Sequence, residues 1–345
     1  MAAPDLNAAA PALGAWLAER VPGFAGPFTV RRLKGGQSNP SFAIEAASGR
    51  YVLRSKPMGT LLPGAHAVER EFAVIAALHP TGFPVPRPFA LCEDASVIGA
   101  PFYVMAHVEG RIFWDARLPD LPPDQRRAAF DAMVATIARL HGIDPAAVGL
   151  AGFGKPGDYF ARQIGRWSRQ YLADPEAGRD PDMDWLVEWL PATIPPGDEV
   201  AIVHGDFRID NMIFAPDRSE VIAVLDWELA TLGHPLADFA YHLLMYRVPA
   251  ELHIGFGGED PAALGLPTEA EYIAAYAALT GRAEVPRLDW HIAYNLFRFA
   301  AIIHGIRGRV LRGTAANPQA REAAGKFEAV AALARRAAEQ AREGQ

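Results

Sequence analysis

The 345-residue chain holds a single cysteine, Cys92. One thiol cannot close an intramolecular disulfide or build a cysteine-rich metal site, so a reducing compartment, the cytoplasm, is the expectation. No apolar run reaches the ~18 residues that span a bilayer as a helix. The opening Met1-Ala2-Ala3-Pro4-Asp5 lacks the basic-then-apolar order of a secretory signal. An excess of positive charge is also missing. Against 33 Lys and Arg stand 40 Asp and Glu, a net charge of −7, which argues against nucleic acid or an anionic membrane as partner. There is no internal repeat and no long low-complexity run. HExxH, GxSxG and a GxGxxG following a strand are absent, which leaves zinc-protease, serine-hydrolase and dinucleotide-dehydrogenase chemistry without support. One near match is set aside. Gly149-Leu150-Ala151-Gly152-Phe153-Gly154-Lys155 fits most of a P-loop, but Pro156 stands where a Ser or Thr must bind Mg²⁺. The segment also follows a helix pattern, so it is expected to be a helix–helix connection.

Half of the residues are hydrophobic, enough for a sizeable core, and the length suggests two lobes. The first part reads as a short amphipathic helix over 11–21, then β-like runs at Phe28–Val30, Ser41–Ile44 and Tyr51–Arg54. The gaps between these runs have turn composition, so an antiparallel meander is expected. A helix follows over Val68–Leu78, with Val68, Phe72, Ile75 and Leu78 at helical spacing. Two further strands are expected at Phe89–Cys92 and Phe102–Met105, with Gly110 a candidate hinge. Beyond it the pattern is mostly helical: Asp124–His141, Tyr159–Tyr171, Glu269–Leu279 and a long run from Leu288 to about Arg312. A second β-like group, Ala201–Val203, Met212–Phe214 and Val221–Leu225, is embedded there. The tail after Phe327 is rich in Ala, Arg and Glu and reads as a solvated helix. The expected organisation is an α+β chain. Residues 1–107 form a small antiparallel-sheet lobe of five strands and one packed helix, and residues 108–345 a larger, mainly helical lobe.

The densest chemistry is His204-Gly205-Asp206-Phe207-Arg208-Ile209-Asp210-Asn211, followed by Val224-Leu225-Asp226-Trp227-Glu228. An apolar strand ends in a loop bearing Asp206. Asn211 comes five residues later, and Asp226 fifteen residues after that, behind another apolar strand. Two carboxylates and an amide oxygen are hard ligands of the kind Mg²⁺ takes while holding phosphates. The earlier carboxylate, Asp206, can accept a proton from a hydroxyl nucleophile. Phosphoryl transfer asks chiefly for positioning and charge neutralisation, and this set supplies both. Asn211 and Asp226 are therefore candidate metal ligands. Arg208 is a candidate for offsetting charge on the transferring phosphate. Glu228 is a candidate to reach a second Mg²⁺ through water. His204 and Asp238 are expected to brace the loop.

In the first lobe Tyr51-Val52-Leu53-Arg54 lies where kinases carry Val-Ala-Ile-Lys, so Arg54 takes the phosphate-binding Lys position. Glu71, seventeen residues on, is its expected helix partner. Lys56 is a rival for Arg54. The loop Gly35-Gly36-Gln37-Ser38-Asn39 offers Gly36 and Ser38 to phosphate oxygens, though it lacks a full Gly-x-Gly-x-x-Gly. Met105 to Val108 would present backbone groups to the nucleotide base.

The spacing, with His-Gly-Asp and Asp-Trp-Glu in place of the protein-kinase strings, resembles the aminoglycoside phosphotransferase and choline kinase superfamily. Further strings narrow the resemblance: Gly35–Pro40, Arg70-Glu71, Val108–Arg111, Leu232–Asp238 and Phe297–Ile302. They are similar to the kinase-like domain found fused to certain acyl-CoA dehydrogenases and as stand-alone bacterial proteins, over nearly the whole chain. The resemblance implies a bilobal protein-kinase-like fold and Mg²⁺-dependent transfer of the γ-phosphate of ATP or GTP. The implied acceptor is a hydroxyl on a hydroxyacyl-CoA or hydroxy acid. An aminoglycoside acceptor is the alternative, and a nucleotide-binding pseudokinase is the alternative of another class. Charge adds a hint. Between Arg287 and Glu328, seven basic residues (Arg287, Arg298, Arg307, Arg309, Arg312, Arg321, Lys326) face three acids, which favours an anionic small-molecule acceptor if this region lines its cleft.

Overall fold

The structure, a computed structural model, describes residues 3–33, 39–59, 66–155, 157–252, 255–315 and 319–343. In chain order the elements begin α1 (Ala10–Arg20), β1 (Phe28–Arg32), β2 (Ser41–Ala46), β3 (Gly49–Ser55), α2 (Val68–Leu78), β4 (Pro88–Cys92) and β5 (Phe102–Ala106). They continue with α3 (Pro123–His141), α4 (Tyr159–Leu172), α5 (Pro181–Ala192), β6 (Ala201–Val203), β7 (Met212–Phe214), β8 (Val221–Val224) and β9 (Thr231–Gly233). The rest are α6 (Pro235–His242), α7 (Leu244–Arg247), α8 (Glu269–Leu279), α9 (Leu288–Leu311), α10 (Ala320–Ala324) and α11 (Phe327–Glu343). Two compact units form. One is Met1–Ile112 with Asn211–Ala230, the other Phe113–Asp210 with Thr231–Gln345.

The first unit is built on a five-stranded sheet in the order β1-β2-β3-β5-β4, with every neighbouring pair antiparallel. Side chains alternate across it. Tyr51, Leu53, Phe102 and Val104 join Leu13 and Leu17 of α1 in one apolar cluster. Residues one step along, Arg54 on β3 and Tyr103 on β5, therefore face the opposite side, and the register pairs them directly. The β7–β8 hairpin belongs to this unit, with Met212 opposite Val224. Phe214 bridges to Arg111. Gly110 fits only as glycine: a Cβ there would lie 2.2 Å from the Phe214 carbonyl oxygen.

The second unit is helical around α9, whose buried residues lie on every face, the mark of a core helix. The Gly149–Lys155 segment lies in turns between α3 and α4, as expected of a connection. One strand is added and one expectation changes. β6 pairs with β9, and β7 with β8; Thr231–Gly233 is too short a run to read as a strand from sequence. The tail helix α11 is not solvated all round. Phe327, Val330, Ala331, Ala334, Ala337 and Ala338 are buried, and the helix packs on α9. Alanines three and four apart make a narrow apolar stripe that the arginine-rich composition conceals.

Candidate active site

In the first unit the alternation of the sheet aims Arg54 at α2. Its Nε lies 2.7 Å from Oε2 of Glu71, and its Nη2 donates to Oδ1 of Asp226 at 2.5 Å. Glu228 is 3.9 Å away. Glu71 is fully buried. It also accepts from Asn39 Nδ2 at 2.5 Å and from the Tyr103 hydroxyl at 3.1 Å. Burial pushes the Glu71 carboxyl upward and Asp226 adds to it, against the pull of Arg54, Asn39 and Tyr103. Burial also works against the charge on Arg54, but Glu71 and Asp226 outweigh it and raise its pKa. The rival Lys56 pairs with Glu69 at 2.8 Å and is only half-buried, so of the two candidates the buried cation is Arg54. Sequence reasoning missed Asn39 and Tyr103. Only the strand register shows Tyr103 as the cross-strand neighbour of Arg54.

Asn211 and Asp226 close one end of the β7–β8 hairpin. The Leu225 N–H donates to the Asn211 carbonyl at 2.8 Å, so the two side chains leave the ladder at neighbouring positions. Asp226 holds a left-handed backbone, φ 65°, uncommon for a residue with a Cβ though better tolerated by Asp than by most. Its side chain keeps 29% of its surface exposed. Among the described residues no group of three or more His, Cys, Asp or Glu is placed to hold a metal ion. An amide oxygen plus one carboxylate nevertheless suits Mg²⁺, which completes its shell with water and phosphate oxygens. Met105 is buried on β5 and Val108 half-buried just after it. Gly36 and Ser38 lie outside the described residues.

In the second unit the His204–Arg208 loop follows β6, and α6 organises it. Asp238, Tyr241 and His242 lie at i, i+3 and i+4, hence on one helical face. Asp238 accepts from the backbone N–H of His204 and of Gly205, each at 2.8 Å. The Tyr241 hydroxyl donates to Oδ1 of Asp206 at 2.5 Å. Nδ1 of His242 is 3.1 Å from the Phe207 carbonyl, and its Nε2 is 2.7 Å from the Tyr272 hydroxyl. A carbonyl only accepts, so Nδ1 carries the proton and Nε2 accepts from Tyr272. Burial depresses His242 to about 4, which keeps the ring neutral. Asp238 is buried and burial alone would raise its pKa, but His141 and His204 hold it below the usual carboxylate range. His204 accepts the Asp206 N–H at Nδ1, 3.2 Å. Both residues thus brace the loop. Arg208 Nε lies 3.0 Å from Asp206 Oδ1, and its Nη2 is 3.3 Å from Asp210.

Arg298 of α9 is buried, donates to the Gly205 carbonyl at 2.8 Å and lies over the Tyr241 ring at 5.3 Å. It is a prop beneath the loop, not a surface cation. Three of the other six basic residues in the arginine-rich stretch are ion-paired. Arg307 pairs with Glu328, Arg312 with Asp174 and Glu176, and Lys326 with Glu322. Glu328 and Glu322 are among the three acids already counted in this stretch, so only the Arg312 pairs and the burial of Arg298 reduce its excess of positive charge. A small pocket beside the loop is lined by Ala116, Arg208, Ile209, Tyr241, His242, Leu244 and Met245.

A family model described as a phosphotransferase enzyme family matches residues 29–272. Acyl-CoA dehydrogenase family member 10 of Mus musculus is 44% identical over 90% of this chain, and member 11 of Gallus gallus 44% identical over 89%. The chain spans only 29% and 40% of those two proteins. The crystal structure of a candidate aminoglycoside phosphotransferase from Ralstonia eutropha matches with TM-score 0.89 and 44% identity, over 96% of this chain and 98% of that one. Choline kinase of Cryptosporidium parvum matches in fold, with TM-score 0.66 and 12% identity, over 96% of this chain and 97% of its own. The fold is the bilobal protein-kinase-like one, with a small antiparallel-sheet lobe and a larger helical lobe.

Proposed function

The chain belongs to the phosphotransferase enzyme family, and from that membership we propose that it transfers the γ-phosphoryl group of MgATP to a hydroxyl of a small molecule, with Asp206 as the base. The observation that carries this reading is the arrest of Asp206. Its carboxylate keeps 19% of its surface exposed, on a loop whose backbone is pinned by Asp238, His242 and Arg298. A rigidly held, partly exposed carboxylate suits proton abstraction. The acceptor hydroxyl gives its proton to Asp206 as its oxygen bonds the γ-phosphorus, and the bond to the β–γ bridging oxygen breaks with ADP leaving. Arg208 offsets charge on the transferring group. Burial works against its cation, but Tyr241, Asp206 and Asp210 outweigh that and raise its pKa, so it stays charged. Arg54, set by Glu71, is assigned to the α- and β-phosphates. Asn211 and Asp226 would hold Mg²⁺, which when bound neutralises phosphate charge.

For the acceptor, the pocket beside Asp206 supports an apolar body with an anionic group. Its wall is Ala116, Ile209, Leu244 and Met245, with the Arg208 guanidinium and no carboxylate in the lining. No carboxylate of the lining itself offers a counter-charge to a polycationic aminoglycoside. A hydroxyacyl-CoA or hydroxy acid fits this better, in line with relatives named as acyl-CoA dehydrogenase family members.

The test is Mg²⁺-dependent ATP and GTP consumption over hydroxyacyl-CoA esters, free hydroxy acids, aminoglycosides and choline-like alcohols, with Asp206→Asn as control. Turnover stimulated by a hydroxyacyl compound and abolished in the control is expected. Stimulation by aminoglycosides alone would overturn the acceptor assignment. Tight nucleotide binding with no transfer to any acceptor would favour a pseudokinase.

A further inference from the structure

We infer that Asn39 and Tyr103 are positioning residues that set the Glu71 carboxylate and, through it, aim the Arg54 guanidinium at the nucleotide phosphates; this rests on Arg54 being the phosphate-binding cation. Arg54 Nε lies 2.7 Å from Glu71 Oε2 but off the direction of a hydrogen bond. Charge draws the two groups together, yet it depends on distance and not on the plane of the carboxylate. Neutral donors fix that plane. Asn39 Nδ2 donates to Oε1 at 2.5 Å, and the Tyr103 hydroxyl donates to Oε2 at 3.1 Å. Among the described residues these are the hydrogen bonds that the carboxylate accepts. One donor on each oxygen resists rotation about the Cγ–Cδ bond. Arg54 Nη2 is turned away from Glu71 and donates to Asp226, the carboxylate assigned to Mg²⁺.

Both donors are themselves held. Tyr103 is buried on β5 as the cross-strand partner of Arg54. Its ring packs against Phe72, the α2 residue next to Glu71, with centroids 5.9 Å apart. Burial and Glu71 hold its phenol well above the ordinary range against the pull of Arg54, so it stays a donor. Asn39 is buried, with its Oδ1 3.1 Å from Nδ1 of His66. The carbonyl of Pro40, the next residue, accepts the backbone N–H of Ser55 at 3.0 Å, and Ser55 directly follows Arg54 on β3. Asn39 and Arg54 are thus fastened to each other through the backbone as well as through Glu71.

Tyr103→Phe removes the hydroxyl and keeps the ring on Phe72; Asn39→Leu keeps the approximate volume and removes the donor. Dissociation constants for MgADP and for adenosine would be measured by displacement of a fluorescent adenosine analogue. The proteins are wild type, both variants, Arg54→Met, Glu71→Gln and Tyr103→Phe/Glu71→Gln. A lost hydrogen bond to a charged group corresponds to roughly tenfold to a hundredfold, of which Arg54 should feel a part, so MgADP should weaken roughly threefold to thirtyfold in each variant. Adenosine has no phosphate for Arg54 and should bind within about twofold of wild type. In the Glu71→Gln background Tyr103→Phe should add no more than about twofold, because no charged carboxylate remains to set. Equal weakening of MgADP and adenosine would mark a packing role and overturn the inference. Unchanged MgADP binding in either variant, with Arg54→Met weakened, would overturn the role of that residue. Undiminished MgADP binding in Arg54→Met, or no nucleotide binding by wild type, would overturn the phosphate-binding assignment of Arg54 and this inference with it.

Discussion

Replacing Arg54 by Met keeps length and apolar stem but deletes the cation between Glu71 and Asp226. Asp226 is partly solvated, with 29% of its side chain exposed, so most of the cost falls on Glu71, which has 0% exposure. Stranding one partner of a buried pair costs about 3–5 kcal/mol. Glu71 has an escape, however: it can take up a proton. From the ordinary carboxyl value of 4.5 to pH 7 is 2.5 pH units, so protonation costs about 3.4 kcal/mol at about 1.36 kcal/mol per unit. The Glu71 share of the loss is therefore capped near ~3 kcal/mol at pH 7.

The sign of the pH dependence follows. In the variant the folded state keeps Glu71 protonated above the pH at which the unfolded state releases that proton. Stability relative to wild type is then nearly intact near pH 4.5 and is lost as pH rises. Urea unfolding of wild type, Arg54→Met, Arg54→Met/Glu71→Gln and Lys56→Ala at pH 5, 6 and 7.5 reads this out. The double variant should recover most of the loss and its pH slope, since glutamine needs no counter-ion. Lys56→Ala should cost at most about 1 kcal/mol, because its pair with Glu69 is partly exposed. An Arg54→Met loss no larger than that of Lys56→Ala, or no recovery on adding Glu71→Gln, would refute the reasoning.

Two further outcomes follow from burial. Burial depresses His242 to about 4 and His291 to about 3, so the unfolded chain takes up protons below about 6.5 that the folded chain refuses. The associated stability is complete above that pH and is lost as pH falls towards those values. His291→Phe should flatten the slope of unfolding free energy between pH 6 and 5 by up to about 1.4 kcal/mol per pH unit, and an unchanged slope would show that His291 is not buried neutral. Gly110→Ala should cost about 1–3 kcal/mol, because its Cβ meets the Phe214 carbonyl that also accepts the Arg111 N–H at 2.8 Å. A thermal midpoint within a degree of wild type would count against that close approach.

The elements that could be read from the chain are those whose pattern is local. Val68–Leu78 and Glu269–Leu279 have the expected bounds because their apolar residues recur at helical spacing and polar or turn residues flank them. The meander β1–β3 was legible from two turn-rich gaps. The Arg54–Glu71 pair was legible because Arg54 and Glu71 stand where the kinase pattern carries its strand Lys and the Glu of the next helix. Features that depend on long-range packing gave no such signal. Tyr241 stands in an eight-residue helix that opens with Pro235 and carries too few apolar repeats to announce itself. Arg298 looked like one surface arginine among several, and only its burial against Tyr241 and the Gly205 carbonyl separates it from Arg307 and Arg312. Asn39 sits beside a glycine-rich loop, and its bond to Glu71 spans 32 residues of chain.

The three contacts made by α6 have a consequence for how this site can vary. At 3.6 residues per turn, inserting or deleting one residue between Pro235 and Asp238 turns the following face by about 100°. Asp238, Tyr241 and His242 would then let go of the loop at the same moment, and Gly205, Asp206 and Phe207 would lose their registration together. Loop and helix are thus coupled like a key and its lock. Substitutions at single positions can be explored one at a time, but a change of length on either side has to be answered on the other, so descendants of this chain should show gaps in β6–α6 only outside the two interlocked segments.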